Sequence, residues 1–423
     1  MTSVTFTDAR LIDPVAGTEM RGDLRIVDGR IAGPGPAARV VDCRGKCLAP
    51  GIVDLGVKVG EPGERHKESF RTAGRAAAAG GVTTIICRPD TMPPIESPEM
   101  LEQARARAAG SPVRVHHMAA LTRGRAGREM TEIGFLLDAG VVAFTDGTHV
   151  TRDTRVLSRC MAYARSLGAL VIGHPQDPGL SAGTCATAGK FTSLRGLPAV
   201  PAMAERLGLE RDLTLVEASG VRWHADQITT AAALPALARA RQAGLDVTAG
   251  TSIHHLTLNV LDLADYRTFF KLVPPLRVEE DRVAIVEALA AGEIDIVSSM
   301  HTPQDEDSKR LPFEEAAPGA VGLETLLPAA MRLVHGGHVT LPVLWRALST
   351  NPARRLGLEG GTLALGAPAD LVLFDPDAPF VLDRWALESK SKNTPFDGAR
   401  MEGRVIGTWV GGMRVFDREA AHA

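Results

Sequence analysis

Along its middle the chain alternates two kinds of hydrophobic pattern. Short runs rich in aliphatic and β-branched residues read as strands: GIVDL from 51, GVTTIIC from 81, VRVHHMA from 113 and GVVAFT from 140. ALVIG from 169, VRWHADQI from 221, LDVTAG from 245 and IDIVSS from 294 complete the set. Between them, stretches such as ESFRTAGRAAAA, PEMLEQARARAA, TRVLSRCMAYARSL and EEDRVAIVEALAA place apolar residues at helical spacing, and Gly before several strands is the expected helix stop. Strand then helix, repeated this regularly, predicts parallel strands with right-handed crossovers, and eight strands is the number that closes a (β/α)8 barrel. Residues 178–200 (PGLSAGTCATAGKFTSLRGLPAV) break the pattern and read as one long loop at the barrel mouth.

Both ends behave differently. Residues 1–50 and about 360–423 give short alternating pieces, DLRIVDGRI, LVLFDP and RVIGTWVGGMRVF, broken by Gly, Pro and Asp turns. Neither end can bury a core alone, so they are expected to pair into one small β-domain. The expected division is 1–50 and 356–423 for that domain and 51–355 for the barrel.

Composition narrows the function classes. With 47 basic against 50 acidic residues and a net charge of −3, the balance gives no reason to expect nucleic acid or membrane as a partner. No apolar run reaches the roughly 20 residues of a membrane helix. The opening MTSVTFTDARLID lacks the features of a signal peptide, and five cysteines in 423 residues make no disulfide scaffold. Cys43 and Cys47 have no second pair to complete a zinc site. A cytoplasmic location is the expectation.

Several segments, in order, resemble the cyclic amidohydrolases and specifically the dihydroorotases. DARLIDP, DLRIVDGRIAGPG and LAPGIVDL look like the family's entry into its barrel. EPGERHKESFRTAGRAAAAGGVTTIICRPDT, VPPLRVEEDRVAIVEALAAGEIDIVSS, PFEEAAPGAVGLETLLPA and SKSKNTPFDGARMEGRV extend the match over nearly the whole chain. Asn393-Thr394-Pro395-Phe396 favours dihydroorotase over hydantoinase. The resemblance implies an α/β fold: a TIM barrel of the amidohydrolase type, with the β-domain beside it.

The resemblance also implies a metal site, and here the residues depart from it. The family binds metal through a His-x-His after strand one, an Asp or carboxylated Lys on strand four and single His residues on strands five and six. An Asp after strand eight ligates metal and shuttles the proton. In this chain the His-x-His positions are Gly56 and Lys58, the strand-six position is Gln227 and the strand-eight position is Met300. Only Asp146 (followed by Gly147 where the family has a second Asp) and His174 keep ligating side chains. The substrate positions have changed as well: Gly60 stands for a carboxylate-gripping Arg, Asp90 and Val273 for Asn, and Gln304 for His. Zinc lowers the pKa of bound water from about 15.7 to about 7, and two ligands do not close a catalytic zinc site. A thioether suits neither a hard nor a borderline hydrolytic metal.

Other candidates have plainer readings. Lys58 is expected to turn its ammonium toward Asp146, with Asp90 as a second partner, and replace the lost metal charge. His254 and His255 read as strand-end neighbours pointing to opposite sides, and His116 and His117 likewise. His301 and Asp305 are close enough in sequence to pair, and His224 reads as packing. Gly80-Gly81 and Gly411-Gly412 read as turns.

Two function classes stay open. One is a non-catalytic homologue, with no cofactor, that joins the catalytic chain of aspartate carbamoyltransferase in a hetero-oligomer, as the resemblance implies for some bacteria. The other is a zinc-dependent dihydroorotase or cyclic-amide hydrolase with a rebuilt site.

Overall fold

A computed structural model describes residues 3–419, so the outermost residues of the expected β-domain ranges lie outside the described residues. The eight strands form one parallel sheet in chain order: Ile52–Val57, Val82–Cys87, Arg114–Ala119, Ala143–Phe144, Leu170–Gly173, Arg222–Ala225, Val247–Ser252 and Ile296–Ser298. The sheet curls until its ends meet. Lys58 N–H donates to the His301 carbonyl at 2.8 Å, and Ser299 N–H to the Asp54 carboxylate at 2.8 Å. Burial pushes the Asp54 carboxyl up to about 6, against the pull of its two bonds from Ser299.

Strands one and two are buried at every position, the mark of parallel strands covered on both faces. Helix Phe70–Ala79 shows why the segments between them are helical. Ser69 caps it through the Thr72 N–H, Thr72 answers back to the Ser69 N–H, and Ala73, Ala76 and Ala77 form a small buried face that can approach the sheet closely. The barrel floor is filled by Val53, Leu55, Ile86, Met118, Ile172 and Ile296, which leaves the mouth as the polar end.

The two chain ends join one sheet. Leu371–Asp375 runs antiparallel to Cys47–Pro50, which in turn lies beside Ser3–Asp13, and Arg404–Val410 and Met413–Asp417 extend the far edge. Phe6 and Trp409 meet edge to face in its core, 4.9 Å between centroids. The C-terminal part also returns to the barrel. Asn393 donates to the carbonyls of Thr302 and Gly319 and accepts from Gln304 N–H.

Residues 178–200 are not one loop. They hold short helices at Pro178–Ser181 and Lys190–Leu194 and a parallel pair, Ala186–Thr187 with Ala199–Val200. Asp177 caps the first helix, and the Thr192 hydroxyl bonds back to the Thr187 carbonyl. Elements of two to five residues are too short to leave a periodic signal. Among the described residues no helix is long and apolar enough to cross a membrane.

Candidate functional site at the barrel mouth

A cavity of about 140 Å³ opens at the C-terminal ends of the strands. Lys58, Asp90, Gln227, Val273, Met300 and Gln304 all line it, so six of the positions singled out by sequence do converge. Arg88, His254 and His255 share the wall with them.

The replacements touch one another. Gly56 has φ +94°, and a Cβ there would lie 2.7 Å from the Met300 sulfur, so the thioether fills the space a side chain at 56 would need. Gln227 donates from Nε2 to the Val273 carbonyl at 3.2 Å. Lys58 Nζ lies 3.1 Å from Glu64 and 3.9 Å from Asp90. Gln304 donates to the Pro318 carbonyl at 2.9 Å. Gln227 and Met300 both keep positive φ, 57° and 45°, an uncommon conformation for side chains of their size.

Glu64 was not visible as a partner from sequence because a loop closure brings it in. Glu64 N–H bonds the Gly60 carbonyl at 2.6 Å, folding residues 60–64 over the end of strand one. A Cβ at Gly60 would stand 2.3 Å from the Glu64 carbonyl oxygen. Burial would raise the Glu64 carboxyl, but Lys67 and Lys58 outweigh it and hold the group below its ordinary value. Asp90 is governed the same way. Burial raises it, while Arg88, Lys58 and Arg125 bring it below the usual carboxylate range. Arg88 grips Asp90 through two nitrogens, at 3.2 and 3.0 Å, and a two-residue spacing was the signal for that pair.

Asp146 and His174 lie elsewhere, around a separate cavity of about 30 Å³ that Lys58 does not reach. The expected Lys58 to Asp146 pairing is therefore wrong. Asp146 accepts from Leu121 N–H and Thr122 N–H at 3.0 Å each and from the Thr122 hydroxyl at 2.6 Å. These bonds satisfy the carboxylate, with the Arg125 guanidinium nearby, although burial still pushes its pKa up. His174 is buried, its Nδ1 has no hydrogen-bond partner, and burial followed by the charges of Arg88 and Arg277 lowers it to about 3.

The remaining histidines also differ from expectation in places. His254 and His255 sit on a short helix, Ile253–Thr257, and both line the mouth, because helical neighbours diverge by much less than strand neighbours. His255 bonds Ser252 and the Pro274 carbonyl, and His254 stacks on Phe396 at 5.8 Å. His301 pairs with Glu68 at 3.4 Å, both fully buried, and not with Asp305, which caps helix Glu306–Lys309. His224 packs against Gly250 and bonds Thr248.

This donor set does not fit zinc. Gly56 offers no donor, Lys58 a cation, Met300 a thioether, and Asp146 already spends both oxygens on the loop after strand three. Among the described residues no group of three or more His, Cys, Asp or Glu side chains is placed to hold a metal ion. What the mouth offers instead is a charge-balanced polar pocket in which lysine and arginine are matched by buried carboxylates.

Comparison with known proteins identifies the family. Residues 45–233 match the family model described as dihydro-orotase-like. A dihydroorotase-like protein of Pseudomonas aeruginosa is 40% identical over 419 residues, covering 97% of this chain and 98% of its own. A dihydroorotase of Anaplasma phagocytophilum is 37% identical over 430 residues, covering 99% and 96%. Among solved structures, an L-hydantoinase from Arthrobacter aurescens superposes with a TM-score of 0.89 at 24% identity, over 99% of this chain and 97% of that one, a likeness of fold. With relatives of this identity matched almost end to end, the chain belongs to the dihydroorotase-like family and is built on the amidohydrolase barrel.

Proposed function

We propose that this chain is a non-catalytic dihydroorotase-like protein of pyrimidine biosynthesis. In this reading it works in the cytoplasm as a structural partner of the aspartate carbamoyltransferase catalytic chain, within a hetero-oligomer. The observation that carries the non-catalytic part is the mutual fit of the replacements: Met300 fills the space at Gly56, Gln227 bonds Val273, and Lys58 is held by Glu64 and Asp90. A barrel amidohydrolase needs metal to make hydroxide near neutral pH, a change of about nine pKa units or roughly 12 kcal/mol. These residues supply no ligands for it. The partner role draws on the family resemblance and on a barrel kept whole after its metal positions changed.

A second reading is a metal-dependent cyclic-amide hydrolase with a rebuilt site, interconverting carbamoyl aspartate and dihydroorotate. It is supported by relatives at 37% identity that carry the name dihydroorotase. One preparation separates the two. Purified protein is expected to hold substoichiometric zinc, to turn over neither carbamoyl aspartate nor dihydroorotate, and to shift to larger size when mixed at micromolar concentration with the aspartate carbamoyltransferase catalytic chain. Stoichiometric metal with turnover establishes the hydrolase, and no shift on mixing removes the partner role.

A further inference from the structure

The outer wall of the barrel carries a surface that neither the mouth nor the β-domain uses. Helix Thr154–Ser166 contains Arg155, Arg159 and Arg165 and no acidic residue, in a chain whose net charge is −3. Asp153, just ahead of it, accepts the N–H groups of Arg155 and Val156 as the helix cap. Among the described residues none of the three arginines forms an ion pair. Positions 155, 159, 163 and 167 recur every four residues, so Arg155, Arg159, Tyr163 and Leu167 run along one exposed face.

The neighbouring helix, Ile133–Asp138, continues the apolar end of that face. A Cβ at Gly134 would lie 3.3 Å from the Tyr163 hydroxyl and 3.8 Å from Leu167 Cδ1, so those side chains cover Gly134. The next residue, Phe135, is 66% exposed, and Tyr163 is 42% exposed. Single exposed apolar residues are ordinary. Tyr163 and Leu167 follow Arg155 and Arg159 along the helix, and Phe135 is exposed one residue from the Gly134 they cover, a composition found at interface centres.

We propose that this face docks a folded protein whose contacting surface sets carboxylates beside an apolar recess. The occupant is argued from charge: unpaired guanidinium groups select an acidic counterpart. The inference rests on the structural-partner reading above and places that partner's contact.

The test uses the full chain, with the aspartate carbamoyltransferase catalytic chain as the probe. Arg155→Glu with Arg159→Glu reverses the charge, Phe135→Ser with Tyr163→Ser removes the aromatics, and Arg39→Glu with Arg71→Glu is a charge-matched control away from the face. Each variant is checked for wild-type circular dichroism and melting. Both face variants are expected to weaken the complex by about tenfold or more, and the control to leave it unchanged. Added salt should weaken the wild-type complex toward the level of the charge-reversed one. A wild-type complex that the face variants form equally well overturns the docking face and leaves the partner reading standing. No complex with wild type overturns both. Self-association that the face variants abolish makes a second copy the occupant and also overturns the proposal.

Discussion

The family's metal positions divide into two groups that meet very different surroundings. Asp146 and His174, just after strands four and five, keep ligating side chains and border a smaller, separate cavity of about 30 Å³. Gly56, Lys58, Gln227 and Met300, on strands one, six and eight, have changed, and three of them line the open mouth. Asp146 explains the contrast best. It accepts three short hydrogen bonds from Leu121 and Thr122, so it holds the loop after strand three whether or not a metal is involved. Asp146 thus has a part in the fold that needs no metal, whereas Met300 fills the space at Gly56 and Gln227 bonds the Val273 carbonyl. His174 makes no comparable bond, and nothing in the structure explains its retention.

The largest effect should come from the retained side. Asp146→Ala leaves two buried N–H groups and a hydroxyl without their acceptor, and is expected to cost about 3–5 kcal/mol in denaturant unfolding. A loss under about 1 kcal/mol would break the argument that the fold retains this residue.

On the replaced side, Gly56→His combines an unfavourable φ of +94° with a clash on the Met300 sulfur. It should cost about 2–4 kcal/mol, and Met300→Ala in the same chain should recover a good part of that. Costs that simply add in a double-mutant cycle would show that the two positions are not coupled.

The third effect is pH-dependent. His174 titrates near 6.5 when unfolded and near 3 when folded, because burial opposes its charge. Its folded value is the lower one, so the unfolded chain binds the extra proton and stability falls as pH drops from about 6.5 toward 3. The contribution is about 1.4 kcal/mol per pH unit within that window. His174→Gln should therefore lose stability less steeply on acidification, and parallel curves for wild type and variant would remove His174 from the account. The smallest effect is at Lys58. Lys58→Met leaves Asp90 its two bonds from Arg88 and should cost only about 1 kcal/mol, read by thermal melting.

What the sequence disclosed follows the range of each interaction. The barrel strands stood out as short aliphatic and β-branched runs, buried at every position where both faces are covered as in strands one and two, and the changed mouth residues stood out because the scaffold around them kept its spacing. Partners brought in by loop closure did not stand out: Glu64 reaches Lys58 through the turn at Gly60, and Glu68 reaches His301 where strands one and eight meet. The Lys58 to Asp146 expectation failed for a related reason. Two positions that face one metal in the family need not face each other when each has a nearer partner. His254 and His255 differ from the strand-end expectation because a five-residue helix is too short to leave a helical pattern in the sequence.

The closed turn at Gly60 ties the backbone, a carboxylate and an ammonium into one set of dependencies. With the Glu64 carbonyl oxygen 2.3 Å from any Cβ at 60, no larger residue enters that position until the loop is rebuilt, and a rebuilt loop would give up the Glu64 contact that anchors Lys58. The mouth works as an interlock: one substitution at 60 disturbs all three together, so any redesign of this pocket has to change several residues at once.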